Sequence, residues 1–155
     1  MLELIPVLAI LLATPRLSLW DIREHRLPNR ITLPLIMLST VITLLSFQTS
    51  RILAAFGLAL FVFLIGWLLA QRNLVGMGDV KLLTAMALAL GSHSPMSFLA
   101  ALSIGLVVAT VVSITRIAIK KITPNSSIAL GPYLMLGFAL IAIEPVGGFV
   151  ITVVA

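Results

Sequence analysis

The chain has 155 residues, of which 61% are hydrophobic, and its formal net charge is +5. Soluble proteins hold about 45–50% apolar residues, and the mean hydropathy of +1.23 lies far above their range. The composition predicts an integral membrane protein and excludes a separate soluble domain. Because there is no cysteine, disulfides, thiolate nucleophiles and cysteine-based zinc sites are excluded as well.

Six apolar segments predict helices, since a helix needs roughly 20 apolar residues to cross about 30 Å of hydrocarbon. We expect an all-α, polytopic membrane helix bundle that forms one domain over residues 1–155, with about six transmembrane helices. The fourth segment is short, which is typical of a helix that begins or ends inside the protein. The sixth contains Pro145, Gly147 and Gly148, near which we expect a kink or an end, and splitting it gives a seven-segment alternative. In chain order, the segments are Leu2–Trp20, Ile31–Phe47, Ile52–Ala70, Val80–Gly91, Met96–Thr115 and residue 128 to the end.

The connecting loops predict the orientation. Loops one, three and five carry seven basic residues, whereas loops two and four carry one. The positive-inside rule places the odd loops in the cytoplasm and both termini on the outer face. The expected location is the inner (plasma) membrane, crossed several times. Asp21 follows the first segment and Asp79 precedes the fourth, so both should lie at the cytoplasmic side and could meet.

The string Gly76-Met77-Gly78-Asp79-Val80-Lys81 concentrates polar groups beside an apolar segment. An ionisable residue at the centre of a membrane helix costs about 2.5–3.5 kcal/mol, and the chain has only five acidic residues. The structural interpretation is that Asp79 is an ordinary helix N-cap. The flanking glycines favour a functional one, because glycine allows close approach of another chain and positive φ. Lys81 places a second charge at the same site.

Asp21 could be a solvated loop residue beside Arg23. A carboxylate at a helix C-terminus, however, opposes the helix dipole at about 0.3–1 kcal/mol, so it is a poor choice for a purely structural position. Downstream, Pro28-Asn29 predicts the turn that starts the second helix. Gly131-Pro132-Tyr133 predicts the start of the last helix at the same membrane depth.

Three strings resemble the type IV prepilin peptidases, a family of GxGD-type membrane aspartic proteases. Asp21 followed by Arg26-Leu27-Pro28-Asn29 is similar to the first aspartate of the family and its downstream motif. Residues 76–83 are similar to the G-x-G-D-x-K-L motif around the second aspartate, and Gly131-Pro132-Tyr133 to the string that opens the last helix. The resemblance implies Asp21 and Asp79 as the catalytic pair. It also implies a set of motif or substrate-binding residues: Gly76, Gly78, Lys81, Pro28, Asn29, Gly131 and Pro132.

The resemblance further implies an endopeptidase that cleaves leader peptides of type IV (Flp-like) prepilins at the cytoplasmic membrane face. The expected partners are a prepilin with a basic leader and the lipid bilayer, without nucleic acid, and no cofactor or metal is expected. Many family members add a methyl group through an N-terminal region with paired CxxC motifs. This sequence has no such motif and resembles the peptidase-only form.

The sequence leaves two other functions open. A small proton-coupled transporter could use an aspartate pair as a proton relay, although it would be expected to show inverted repeats. A non-enzymatic subunit of a secretion complex would tolerate Asp21→Asn and Asp79→Asn. For the peptidase, Asp79 should be the more acidic carboxyl and the initial base, because a helix N-terminus and Lys81 both favour a carboxylate.

Overall fold

The computed structural model describes residues 4–24, 27–46, 48–119 and 130–154, with side chains described as far as residue 143. All regular secondary structure in these ranges is helical, which confirms the prediction of an all-α protein with six helices. The helices are α1 (Leu4–Glu24), α2 (Asn29–Leu45), α3 (Thr49–Gln71), α4 (Met77–Gly91), α5 (Pro95–Ala118) and α6 (Gly131–Val154).

The outer helices have the lengths and surfaces of membrane segments. Within the described residues, α1, α3 and α5 are long and apolar enough to cross a membrane, whereas α2 and residues Gly131–Ile143 of α6 are apolar but shorter. On α3 only Ala55, Ala59 and Gly66 are buried, and large side chains such as Phe61 are exposed. Apolar side chains that face outward in this number indicate a lipid-facing surface.

The short helix α4 lies at the centre of the bundle. Ten of its 15 residues are buried, and it contacts each of the other five helices. Small residues allow neighbouring helices to approach closely: a Cβ atom on Gly66 of α3 would lie 2.7 Å from Cγ1 of Val80 on α4. The interpretation of the fourth segment as a helix inside the protein agrees with this position.

Most helix ends differ from the ends of the apolar segments, and two of the differences concern the ends that carry aspartates. Helix α1 continues past Trp20 to Glu24, and α4 begins at Met77 rather than at Val80. Hydropathy marks only the apolar part of a helix, whereas polar residues extend it beyond the membrane. In the added turn of α1, Nε1 of Trp20 donates a 3.1 Å hydrogen bond to Oε1 of Glu24.

The last helix, α6, is a single helix over Gly131–Val154. This agrees with six segments rather than seven, and the helix does not end near Pro145. Proline and glycine are tolerated inside membrane helices when their surroundings satisfy the backbone groups. Its first half packs closely on α5. A Cβ atom on Gly137 would overlap the carbonyl oxygen of Ala101, and one on Gly105 would lie 2.9 Å from Cα of Leu134. These contacts place the start of α6.

Candidate active site

A cavity of about 360 Å³ lies where α1 ends and α4 begins. Asp21 lies in the last turn of α1 and Asp79 in the first turn of α4, and the structure brings both carboxyl groups to its wall. The cavity contains six of the nine site residues that the sequence predicted. Its lining consists of Asp21, Leu27, Asn29, Gly76, Met77, Gly78, Asp79 and Lys81.

Asp21 is almost fully enclosed, with 4% of its surface exposed. Its Oδ2 atom accepts a 2.9 Å hydrogen bond from the backbone N–H of Gly131, the first residue of α6. The interpretation of Asp21 as a solvated loop residue is therefore wrong: the helix continues through it, and the neighbouring α6 donates to its carboxylate.

Asp79 is the third residue of α4, and the N-cap of that helix is Gly76. The simple N-cap interpretation of Asp79 is thus wrong, although its carboxyl group does accept a hydrogen bond from the Gly76 backbone, as an acidic residue at the third helical position can. The other oxygen, Oδ1, is buried and has no hydrogen-bond partner among the described residues. A buried carboxyl oxygen without a partner disfavours the ionised form.

Asp79 precedes the apolar part of α4, which begins at Val80, and its surroundings favour the protonated acid. Burial raises the pKa of Asp79 from 3.8 to about 7, the negative charge of Asp21 adds to this effect, and the Gly76 hydrogen bond acts against it. The expectation that the surroundings of Asp79 favour its carboxylate is therefore wrong. Desolvation and a like charge outweigh the helix N-terminus. The Lys81 ammonium, which was expected to favour the Asp79 carboxylate, donates a hydrogen bond to Asn29.

Lys81 and Asn29 form a polar contact at the rim of the cavity. Nζ of Lys81 donates a 2.7 Å hydrogen bond to Oδ1 of Asn29. Pro28 precedes Asn29 as the N-cap residue of α2, and its carbonyl oxygen accepts from the backbone N–H groups of Ile31 and Thr32 at 3.0 and 3.2 Å. Pro28 thus starts the helix that holds Asn29 opposite Lys81.

The two motif glycines serve close packing rather than positive φ. None of the described glycines has positive φ. A Cβ atom on Gly78 would lie 2.8 Å from Cβ of Leu27, and one on Gly76 would lie 3.1 Å from Oδ2 of Asp79. The close approach that Gly78 allows is made by Leu27 of the same chain.

Gly131 and Pro132 open α6 next to Asp21 rather than in the cavity lining. Sequence reasoning missed Leu27 and Met77 as lining residues, although both lie inside the motif strings. His25, Arg26, Lys120 and Lys121 lie outside the described residues, as does the side chain of Glu144. Among the side chains that are described, no three of His, Asp and Glu cluster as a metal site would require.

A helical membrane bundle with two carboxyl groups in one cavity has the elements of a membrane-embedded acid–base hydrolase. The sequence model of the type IV leader peptidase family matches residues 6–110. The chain belongs to this family, which confirms the resemblance. The matched range contains both aspartates and ends in α5, before α6 begins. Neither the curated proteins nor the solved structures provide a match.

Proposed function

We propose that this protein is an aspartic endopeptidase that removes the leader peptides of type IV (Flp-like) prepilins at the cytoplasmic face of the inner (plasma) membrane. The observation that carries the proposal is the position of Asp21 and Asp79 at the wall of one cavity, in a member of a leader peptidase family. Residues 1–155 form the single transmembrane domain that performs the reaction, with Asp21 and Asp79 as its catalytic residues.

The chemistry follows from two carboxyl groups that do not ionise together, because like charges in one site disfavour double ionisation. The ionised carboxylate takes a proton from a water molecule, whose oxygen attacks the carbonyl carbon of the scissile peptide bond. The protonated carboxyl group donates its proton to the carbonyl oxygen. When the tetrahedral intermediate collapses, the C–N bond breaks and the amine leaves with the proton that the base had taken from water. One hydroxyl group of the intermediate returns its proton to the other carboxylate, which restores both groups. No covalent enzyme intermediate is required.

The position of the cavity defines how a substrate reaches it. The cavity lies at the ends of α1 and α4, beside the loop between α1 and α2, so the cleaved bond must lie at the membrane boundary rather than at mid-membrane depth. The cleaved segment must also be extended, because a helix holds its carbonyl groups in internal hydrogen bonds. Both conditions suit the junction between a polar leader and an apolar membrane segment.

The test uses the purified full-length protein in lipid nanodiscs and a synthetic prepilin that contains its leader and apolar segment. We expect a single cut at the leader junction, identified by the masses of both products. A matched substrate with the same composition and a scrambled junction should remain intact. Absence of cleavage in nanodiscs, with a panel of prepilins of the Flp-like class, would contradict the proposal.

A further inference from the structure

We propose that the first turn of α6 assigns the two catalytic roles: the Gly131 N–H holds Asp21 as the ionised general base, which leaves Asp79 as the general acid. This inference rests on the proposed function, but its first test does not require cleavage. It reverses the roles expected from the sequence. It also gives a catalytic purpose to a helix that lies beyond the residues matched by the family model.

The start of α6 directs one backbone donor at Asp21. Tyr133 and Leu134 both donate their N–H groups to the carbonyl oxygen of Leu130, each at 3.1 Å. Pro132 has no N–H group. The remaining first-turn donor, the N–H of Gly131, makes the 2.9 Å bond to Oδ2 of Asp21. A helix N-terminus favours a negative charge, and a charge-assisted hydrogen bond strengthens this preference.

Glycine is required at position 131 for this bond. A Cβ atom there would lie 2.6 Å from Oδ2 of Asp21 and 3.1 Å from its Cγ atom. Any other residue would push the carboxylate away from the helix end. The close fit explains why the helix begins with Gly131, which is a weak helix former.

The start of α6 is held in place from two sides. Gly105 of α5 and Gly137 of α6 allow direct backbone contact between these two helices. On α1, Oγ of Ser18 donates a 3.3 Å hydrogen bond to Sδ of Met135, one turn before Asp21. Because α6 is packed against the helix that carries Asp21, the position of Gly131 relative to the Asp21 carboxyl group is fixed by the fold.

The charged and titratable groups near Asp21 do not give Asp79 a backbone donor from a neighbouring helix. From α4 these are Asp79 itself and Lys81, and the Lys81 ammonium is bonded to Asn29 of α2. Tyr133 is the titratable side chain in the first turn of α6. Asp79 is left with a buried oxygen that has no partner in the described part of the chain. Asp21 thus accepts from a backbone donor of another helix, whereas Asp79 accepts from Gly76 of its own helix and keeps one buried oxygen without a described partner.

The first test is carboxyl-stretch infrared spectroscopy of the intact protein at about pH 6, where Asp79 should be protonated because its pKa is raised to about 7. Difference spectra between wild type and each variant remove the contribution of the other three acidic residues. We expect a protonated-acid band in wild type that persists in Asp21→Asn and disappears in Asp79→Asn. Its disappearance in Asp21→Asn, its persistence in both variants or its absence from wild type would each overturn the proposal.

The second test compares the pH–rate profiles of Gly131→Ala and Gly57→Ala. Gly57 lies in α3, where an added Cβ atom meets nothing within 4 Å in the described structure, so that variant should match wild type. Gly131→Ala should move the acidic limb of the profile upward by about one pH unit, as expected for loss of a hydrogen bond to a charged group. A lower rate with both limbs unmoved would show that Gly131 is only structural. If wild type cleaves nothing, the proposed function fails, whereas the infrared result still decides the protonation states.

Discussion

The Lys81 ammonium and the Asn29 side-chain oxygen are joined by a 2.7 Å hydrogen bond across 52 positions of sequence. The bond connects the N-terminal part of α4, which carries Asp79, to the first residue of α2. Both residues line the cavity. The pair therefore closes one side of the site by linking two helices that are not consecutive in the chain.

Removing this bond should lower kcat/KM while the fold is preserved. Asn29→Ala is expected to reduce kcat/KM roughly five- to tenfold, near the lower end for a hydrogen bond to a charged group because the pair is exposed. Asn29→Asp should retain most activity, since a carboxylate also accepts from the ammonium. Arg30→Ala changes the next, exposed position and serves as the control.

Substitution of Lys81 tests the same hydrogen bond from its donor side. Lys81→Met should lose as much activity as Asn29→Ala, and the double variant should lose no more than either single one, because both remove one interaction. Strictly additive losses, measured as kcat/KM on the same prepilin, would show that the two residues act separately.

Alanine substitutions of the two motif glycines, Gly76 and Gly78, should differ in their effects on stability and activity. Gly78→Ala should lower both the melting temperature and activity, because its Cβ atom would lie 3.0 Å from the backbone nitrogen of Leu27. Gly76→Ala should lower activity with little loss of stability, since its nearest neighbour is the movable carboxyl group of Asp79. Parallel thermal melts and cleavage assays check this. Equal melting temperatures for the two variants would contradict it.

Asp79→Asn should stabilise the protein at neutral and alkaline pH. Between about pH 4 and pH 7 the unfolded chain releases the Asp79 proton while the folded protein retains it, because the pKa rises from 3.8 to about 7 on folding. Folding stability therefore falls as pH rises through this window and stays at the lower value above it. The variant should melt a few degrees higher than wild type at about pH 8 and equally near pH 4. A lower melting temperature at pH 8 would contradict the burial argument.

Close contact between α5 and α6 should make Gly137 sensitive to a single methyl group. Gly137→Ala is expected to lower the free energy of unfolding by about 1–3 kcal/mol, as overpacking of a tight interface does, because its Cβ atom would overlap the Ala101 carbonyl oxygen. Gly57→Ala, which adds the same atom in open space, should leave stability unchanged or slightly raised. Chemical denaturation in mild detergent measures both variants, and similar values for the two would contradict the packing argument.

The sequence predicted the helices because apolar runs report burial in lipid directly. Basic loops placed Asp21 and Asp79 on one side, which was sufficient to expect them in one place. The helix ends at Glu24 and Met77 could not be predicted from hydropathy. Both ends extend beyond the apolar runs, and polar residues that continue a helix leave no mark in hydropathy.

The sequence could not predict which helix faces each aspartate. The hydrogen bond from Gly131 to Asp21 depends on the packing of α6 against α1. Hydropathy does not indicate which helices are neighbours in a bundle. Likewise, the sequence could not indicate that the close approach allowed by Gly78 is made by Leu27 of the same chain. The raised pKa of Asp79 follows from burial, which outweighs the effect of the helix N-terminus that the sequence position indicates.

The most direct test of the account is the cleavage rate of Asp21→Asn and Asp79→Asn beside Glu24→Gln, all as purified full-length proteins in nanodiscs with one prepilin. Glu24 is an exposed carboxylate one turn from Asp21 and is bonded to Trp20 rather than facing the cavity. We expect each aspartate variant to lose cleavage by about 10²–10⁴-fold, the usual contribution of a general acid or base, while Glu24→Gln cleaves as wild type. Substantial cleavage by either folded aspartate variant would contradict a two-aspartate mechanism.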